Sequence, residues 1–444
     1  MNKFVLFTVL LLSFTGSMCC AAADTGLQSK MSLETLNNAD LGGARGGDIN
    51  AAALDIKPWI YWQKNLWRAY GMVEFFGASD RVEYESSGSS PSTDGFISIR
   101  EAWVDYTGFT PYPGEYLRSG LQRVRSDDGL WWDTDIEASR WVFNTTLIDA
   151  EVGIAQRLAL YRSDKNDVPY QDDHRLHLFG KYRYQWRAGH WISARFHRLD
   201  DNKPTPLFTI HPTQIKDTYT NVQWLGIELD SDYYHPNRQR ALNYQLSAVM
   251  MDGQHLKMGQ QRLEKNIGGT MFEALLRYRI NQWQVGAATS LSSGEITATS
   301  DNLFLQTGLE SNRSTFTGTR ARIFRFGEAY RPSLGNINVY SVFVSLTPIP
   351  ASDISVVYHS FTRRNALAPI VSAVLADQVN GESDLGQELD LVFSWYLNSG
   401  VLSPEWALDD RAYVRLRGGM FESGPVYDKG SRLIHLTGEF VWLL

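Results

Sequence analysis

Residues 311–331 read SNRSTFTGTRARIFRFGEAYR and carry Arg313, Arg320, Arg322, Arg325 and Arg331. The chain around them is acidic, with 42 Lys+Arg against 49 Asp+Glu. A guanidinium is always charged and offers a planar fork of donors that matches a carboxylate or phosphate. Five of them in one short segment are therefore suited to an anion, of which nucleic acid is one case and other polyanions are the rest. Further cations recur at alternate positions elsewhere: Lys57 (with Asp55 and Tyr61), Arg175, Lys181, Arg183, Arg195, Arg277, Arg279, Arg411, Arg415 and Arg417. Bond-making chemistry has little to work with. The sequence has 9 His and no HExxH, CxxC or GxSxG. His174 and His177 fall on opposite faces of an alternating segment and make a poor metal pair. Asp133, Asp135 and Glu137 in WWDTDIEASRW form an acidic cluster that reads as a partner for arginine rather than as a Ca²⁺ site. We expect no catalytic residue, cofactor or metal.

These cations need a frame. Residues 1–23, with Lys3, an apolar run from Phe4 to Phe14 and Ala21-Ala22-Ala23, read as a secretory signal peptide. Lipoprotein processing at Cys19 or Cys20 is the alternative. Both cysteines of the chain lie in this segment, so the mature part, 24–444, has none. No later stretch offers eighteen consecutive apolar residues, so no transmembrane helix is expected. Aromatic residues make up 13% of the chain, with 14 Trp and 21 Tyr, and such residues suit a membrane–water interface.

Hydrophobicity recurs with a period of two. In 411–420 Arg411, Tyr413, Arg415 and Arg417 share one face and Ala412, Val414, Leu416 and Met420 the other. In 271–280 Phe272, Leu276, Tyr278 and Ile280 oppose Glu273, Arg277 and Arg279. In 174–186 Leu176, Leu178, Tyr182, Tyr184 and Trp186 oppose Arg175, His177, Lys181 and Arg183. In 432–444 Leu436, Phe440, Trp442 and Leu444 oppose His435, Thr437 and Glu439. A soluble sandwich also alternates, but long strands, aromatic caps and an apolar-aromatic last strand favour an outer-membrane β-barrel. Short joints near 63–66, 108–114, 145–149, 187–190, 233–237, 281–282 and 347–352, with one of intermediate length at 398–410 in a periplasmic slot, alternate with longer ones. The longer ones fall near 35–49, 80–96, 125–135, 164–172, 200–215, 252–268, 294–335, 364–384 and 422–431. This predicts an all-β fold of one domain: about 18 antiparallel strands, short periplasmic turns, long extracellular loops and both termini in the periplasm. Eighteen strands enclose an aqueous channel. The arginine-rich segment then lies in the seventh outer loop, and folded inward it would narrow and charge the lumen.

The stretches LESNRSTFTGTRARIFRFGEAYR (309–331), IREAWVDYTG (99–108), EYLRSGLQRVRS (115–126) and WWDTDIEASRWVFNTTL (131–147) resemble a known family. TYTNVQWLGIEL (218–229), LGQELDLV (385–392) and RLRGGMF (415–421) do so too. The family is that of the outer-membrane alginate export porins, eighteen-stranded barrels that pass a linear polyuronate through an electropositive constriction. The resemblance implies that Lys30, Lys57, Arg100, Arg123, Arg313, Arg322, Arg415 and Arg417 line that constriction, with Asp133 and Asp164 as supporting acids. It further implies an outer loop folded into the lumen, by position 80–96, and a periplasmic plug turn, by position 398–410. This chain departs from the pattern at Lys57, where arginine is expected, at Leu160, where an acid is expected, and at Leu444, where phenylalanine is usual.

Strand parity leaves Arg100 and Arg123 ambiguous, so both rest on the resemblance. For Arg415 and Arg417 no acid stands on their own strand, so ion pairing explains them less well than the other inward cations. Arg320, Arg325 and Arg331 are left as loop-fixing ion pairs. The expected function is passive, anion-selective export of alginate through the outer membrane. Its partners would be the polymer, outer-membrane lipid and the other components of a polysaccharide secretion complex, with no nucleic acid. An uptake porin for small anionic solutes or sugar acids is the alternative of the same fold, and an outer-membrane hydrolase is the alternative of another class.

Overall fold

The computed structural model describes residues 22–42, 48–79, 95–165, 168–169, 172, 174–201, 218–235, 241–257, 263–296, 300–368, 370–379, 381–397, 412–427 and 431–443. The expected signal segment up to residue 21, the loop 80–94, the turn 398–410 and Arg411 lie outside the described residues. So do most of 200–215 and Leu444.

Eighteen strands close an antiparallel barrel. Its first half comprises β1 (Ala22–Asn37), β2 (Ile49–Lys64), β3 (Trp67–Ala78), β4 (Gly95–Tyr106), β5 (Glu115–Arg125), β6 (Asp133–Asn144), β7 (Ile148–Gln156), β8 (Arg175–Arg187) and β9 (His190–Asp201). It continues with β10 (Thr218–Asp230), β11 (Leu242–Lys257), β12 (Leu263–Ile280) and β13 (Trp283–Ser292). Four short strands follow: β14 (Gly294–Ile296), β15 (Ser300–Leu303), β16 (Arg313–Ser314) and β17 (Ile323–Phe324). The wall resumes with β18 (Ile337–Ile349), β19 (Ser352–Arg363), β20 (Asp384–Tyr396), β21 (Ala412–Ser423) and β22 (Arg432–Leu443). Closure comes from β1, which pairs with β2 on one side and with β22 on the other, where Lys30 stands opposite Val441. A closed wall leaves no unpaired edge, as a bilayer requires.

Alternation does what the sequence requires of it. On β12 Phe272, Leu276 and Tyr278 are exposed outward, while Glu273 and Arg277 are buried within. On β21 Leu416 and Met420 face out and Arg415 and Arg417 face in. The two-residue turns between β2 and β3 and between β12 and β13 each begin with asparagine at positive φ, Asn65 at 53° and Asn281 at 55°. That is the left-handed geometry a tight hairpin needs and asparagine tolerates.

Two connections differ from the expectation. The long loop expected over 252–268 is mostly strand, because β11 and β12 pair from Leu242↔Tyr278 to Lys257↔Leu263. Gly253, Gly268 and the polar residues between read as loop because this part of the hairpin carries no apolar stripe. The joint expected over 233–237 is part of a longer connection, 231–241, whose Tyr233 and Tyr234 turn inward and are buried.

The core of the molecule lies inside the barrel. Two connections fill it: the tip of the β5–β6 hairpin (126–132) and the long connection 293–336. Trp131, Trp132, Leu309, Phe326, Tyr330 and Leu334 pack there with wall residues such as Phe179, Trp224, Phe361 and Phe421. The long connection leaves the wall at the outer end and descends the full height of the lumen. Gln284, beside a periplasmic turn, donates to the Gly318 carbonyl at 3.1 Å. Arg320 donates to Asp353 at 3.0 Å and to the Pro350 carbonyl at 2.8 Å, at the periplasmic rim. The neighbouring strand β18 has 13 residues between its two ends, roughly 40 Å of chain at about 3.3 Å per residue.

Candidate functional site

Many of the sequence-selected cations fall into two groups, distinguished by what they bind. One population fixes the inward loop to the wall. Arg325 meets Glu273 at 2.5 Å and the Tyr234 hydroxyl at 2.9 Å. Arg277 donates to the carbonyls of Phe316 and Tyr233 at 3.0 and 2.8 Å. Arg331 donates toward His435 Nδ1 at 2.9 Å. Arg313 and Arg331 lie 4.0 and 3.9 Å from the centre of the same ring, Phe324. Arg325, 2% exposed, is sealed from any solute; Arg320, 23% exposed, is tied to Asp353 and the Pro350 carbonyl, and these two with Arg331 hold the loop in place.

The second population forms a belt. Starting on β22, Glu439 binds Lys30 of β1 at 2.9 Å and lies 3.8 and 3.6 Å from Arg415 and Arg417 of β21. Arg417 also lies 3.6 Å from Glu328 of the inward loop. Lys30 stands in register with Asp55 of β2. Lys57 binds Asp55 at 2.5 Å and Glu74 of β3 at 3.2 Å. Arg100 of β4 bridges Glu74 and Asp135 of β6. Arg123 of β5 binds Asp133 at 2.7 Å and Asp135 at 3.3 Å. Asp133 also binds Arg125 at 3.1 Å and Arg322 of the inward loop at 2.8 Å. Arg322 in turn donates to the Arg313 carbonyl at 2.6 Å. Cation and carboxylate alternate across eight consecutive strands of the wall, β21, β22 and β1–β6, and end on the loop.

Side chains of Lys30, Lys57, Arg100, Arg123 and Arg322 keep between 16% and 24% of their surface exposed. Arg415 and Arg417 keep 9% and 5%. The inward loop bonds to β10, β12, β13, β19, β20 and β22 through Leu305, Arg325, Gly318, Arg320, Ala329 and Glu328, and to β6 of the belt through Arg322. Eight cations (Lys30, Lys57, Arg100, Arg123, Arg125, Arg322, Arg415, Arg417) share six carboxylates (Asp55, Glu74, Asp133, Asp135, Glu328, Glu439), so the belt carries surplus positive charge.

The ambiguity of Arg100 and Arg123 has a structural cause. The β3–β4 register shifts after Met72↔Glu101 to Val73↔Ile99, so Arg100 sits in a β-bulge and escapes the alternation. Arg123 shares its face with Leu121 and Ser119, which point outward lower on the same strand. The β4–β5 ladder, however, ends at Ala102↔Leu121. Above it the β5–β6 hairpin leaves the wall and enters the lumen, which brings this face of Arg123 and Asp135 to Arg100. For Arg415 and Arg417 the acids absent from their own strand are supplied by Glu439 on the next strand and by Glu328. Asp164 lies in the β7–β8 connection and binds Arg162 at 2.8 Å.

Asp135 reads from the sequence as a partner for arginine, and it meets Arg100 and Arg123, but other belt members escaped sequence reading: Asp55 as a carboxylate of the belt, Glu74, Glu328 and Glu439. Glu439 was visible as an inward residue of the last strand, but its partners are 22 or more positions distant. Outside the spanning strands, Asp128 at the hairpin tip is held below the usual carboxylate range. Burial pushes it up, but Arg195 at 2.5 Å, the Ser126 hydroxyl and the Leu130 amide outweigh this.

A family model described as alginate export matches residues 22–433. The alginate production protein AlgE of Pseudomonas syringae pv. tomato is 37% identical, over 91% of this chain and 90% of its own length. AlgE of Pseudomonas aeruginosa is 37% identical, over 95% of this chain and 92% of its own. Among solved structures, a BenF-like porin from Pseudomonas fluorescens Pf-5 superposes with a TM-score of 0.58, covering 95% of this chain and 98% of that one at 9% identity. At that identity the likeness is one of fold.

Proposed function

This chain belongs to the alginate export family, and from that premise we propose that it is the outer-membrane pore through which alginate leaves the cell, with the charge belt as its anion-selective constriction. The observation that carries the constriction is the alternation of partly exposed cations with carboxylates around β21–β6. A uronate carboxylate can share a belt guanidinium or ammonium with Glu439, Glu74 or Asp135, because each cation carries more N–H donors than one carboxylate uses. A contact between a solvated uronate and the exposed edge of an already paired cation is worth about 0–1 kcal/mol, so each contact is weak and replaceable and the polymer does not stick. Surplus positive charge favours anions over cations in the same passage. Arg313 and Arg322 border the route on the loop side, and Lys30, Lys57, Arg100 and Arg123 on the wall side. Passage needs no bond to form or break. Other components of a polysaccharide secretion complex would deliver the polymer at the periplasmic rim.

The test is reversal potential in planar bilayers with and without added polyuronate, for the parent and for Lys57→Gln with Arg322→Gln. The double variant should lose most of its anion preference and be blocked less by polyuronate. Unchanged selectivity would remove the belt from the mechanism. Export itself is tested separately: a deletion strain should retain polymer in its periplasm, whereas an uptake porin would leave secretion intact.

A further inference from the structure

We infer that the outer face of the barrel carries a groove for one acyl chain of the outer-leaflet glycolipid, formed where the β5–β6 hairpin departs from the wall. The inference uses the outer-membrane placement of the barrel but not the selectivity of its lumen.

The flanking ladders, β3–β4 and β5–β6, each contain eleven residue pairs, whereas β4 and β5 share five, from Ala102↔Leu121 to Tyr106↔Leu117. At the break Gly120 has a φ of 128°, and a side chain there would meet the Ala102 carbonyl oxygen at 2.2 Å. Above the break, β4 takes a substitute partner. The Ile99 amide donates to the Tyr161 carbonyl at 3.0 Å and the Ser163 amide to the Ile97 carbonyl at 2.9 Å. The start of the β7–β8 connection, 157–163, thus crosses from β7 to β4 as a strap and closes the wall that the hairpin has left.

Beneath this strap is a cavity of about 510 Å³, lined among others by Ile99, Ala102, Leu121, Ile154, Leu158 and Leu176. That volume lies within the roughly 300–1,000 Å³ of small-molecule clefts. Its face is set by register. Val104, Ser119, Ser139, Ile154 and Leu178 are successive cross-strand neighbours, and Val104, Ile154 and Leu178 are exposed on the outside. Ala102, Leu121, Glu137, Gln156 and Leu176 form the next row on the same face. The groove therefore opens to the bilayer, and the medium that fills it is hydrocarbon. It ascends from Ala102 toward Ile99 and Tyr161, toward the extracellular end of β4, which selects the outer leaflet. Of the polar groups that line it, Glu137 accepts the amides of Leu158 and Ala159 at 3.2 and 3.1 Å and the Tyr161 hydroxyl, and the Ser139 hydroxyl bonds that of Ser119 at 2.8 Å. A hydrocarbon chain can lie over them without stranding a charge.

Native mass spectrometry of the full barrel, refolded in detergent and given purified lipid A or dipalmitoyl phosphatidylglycerol, tests this. One lipid A should remain bound per chain at energies that strip detergent, and the phospholipid should not. Ser139→Trp, which fills the groove, should abolish retention, and Ile227→Trp on the plain wall should leave it unchanged. Heat-modifiable electrophoretic mobility reports whether each barrel is closed, and Ala102→Leu is the milder second filling variant. Absence of bound lipid A, its persistence in a closed Ser139→Trp or Ala102→Leu barrel, or equal retention of the phospholipid would overturn the groove. Conductance and polymer export of Ser139→Trp should match the parent. Loss of export in the parent-level assay concerns the lumen and not this face.

Discussion

Arg322 and Asp133 lie 2.8 Å apart, one on the inward loop and the other at the start of β6. Asp133 is simultaneously the partner of Arg123, Arg125 and the Ser311 hydroxyl. One buried carboxylate thus ties the hairpin that leaves the wall to the loop that fills the lumen, and three guanidiniums converge on it.

Asp133→Asn should separate these two inserts. Removing one partner from a buried ion pair costs about 3–5 kcal/mol, and here three cations lose their shared acid. Single-channel conductance should rise and anion preference should increase, because the lumen gains a net positive charge. A conductance and reversal potential equal to the parent's would show that Asp133 is not the tie.

Gly129 is the point of closest approach between the same two inserts. Its φ is 67°, and a side chain there would meet the Arg313 carbonyl oxygen at 2.2 Å. The Ser311 and Asn312 amides both donate to its carbonyl, at 3.1 and 3.0 Å. Gly129→Ala should cost about 1–3 kcal/mol through backbone strain and displace Arg313. Increased open-channel noise with a retained barrel is the expected reading, and a quiet, parent-like channel would contradict it.

Tyr330 anchors the outer limb of the loop. Its ring stacks on Phe421 at 4.3 Å with planes 3° apart, and its hydroxyl meets Tyr427 at 2.8 Å. Tyr330→Ala removes a fully buried aromatic side chain, a loss of about 3–5 kcal/mol. Hydrogen exchange should accelerate across the described part of 304–336 while β18–β22 keep their protection. Tyr330→Phe, which keeps the stack and loses the hydroxyl, should show a smaller effect in the same direction.

Acid should loosen the hairpin tip through Asp128. Its folded pKa is depressed by Arg195, Ser126 and Leu130, so its contribution is fully present above the ordinary carboxylate value of about 3.9. It is lost as pH falls from there through the lower folded value. Exchange protection of 126–132 should be constant from pH 7 to about 5 and decline below pH 4. Asp128→Asn should show the reduced protection at every pH, and parent-like protection in that variant would assign the tip's stability elsewhere.

The sequence by itself determined the barrel, its strand number and which face of most strands meets lipid. Those properties follow from local chemistry: a period of two and connection lengths that alternate. It also marked the loop at 294–335 as basic and inward, and separated Arg313 and Arg322 from Arg320, Arg325 and Arg331. Tertiary structure decided how the charges pair. Glu439 serves Lys30, Arg415 and Arg417, and Asp133 serves an arginine 189 positions away, distances along the chain that no local pattern encodes. It decided the facing of Arg100 through a bulge and of Arg123 through the premature end of the β4–β5 ladder. Parity holds only while a strand stays paired in the wall. Where a hairpin leaves that wall, the face it presents to the pore is set by what it packs against, and that is a property of the closed barrel rather than of any segment of the chain.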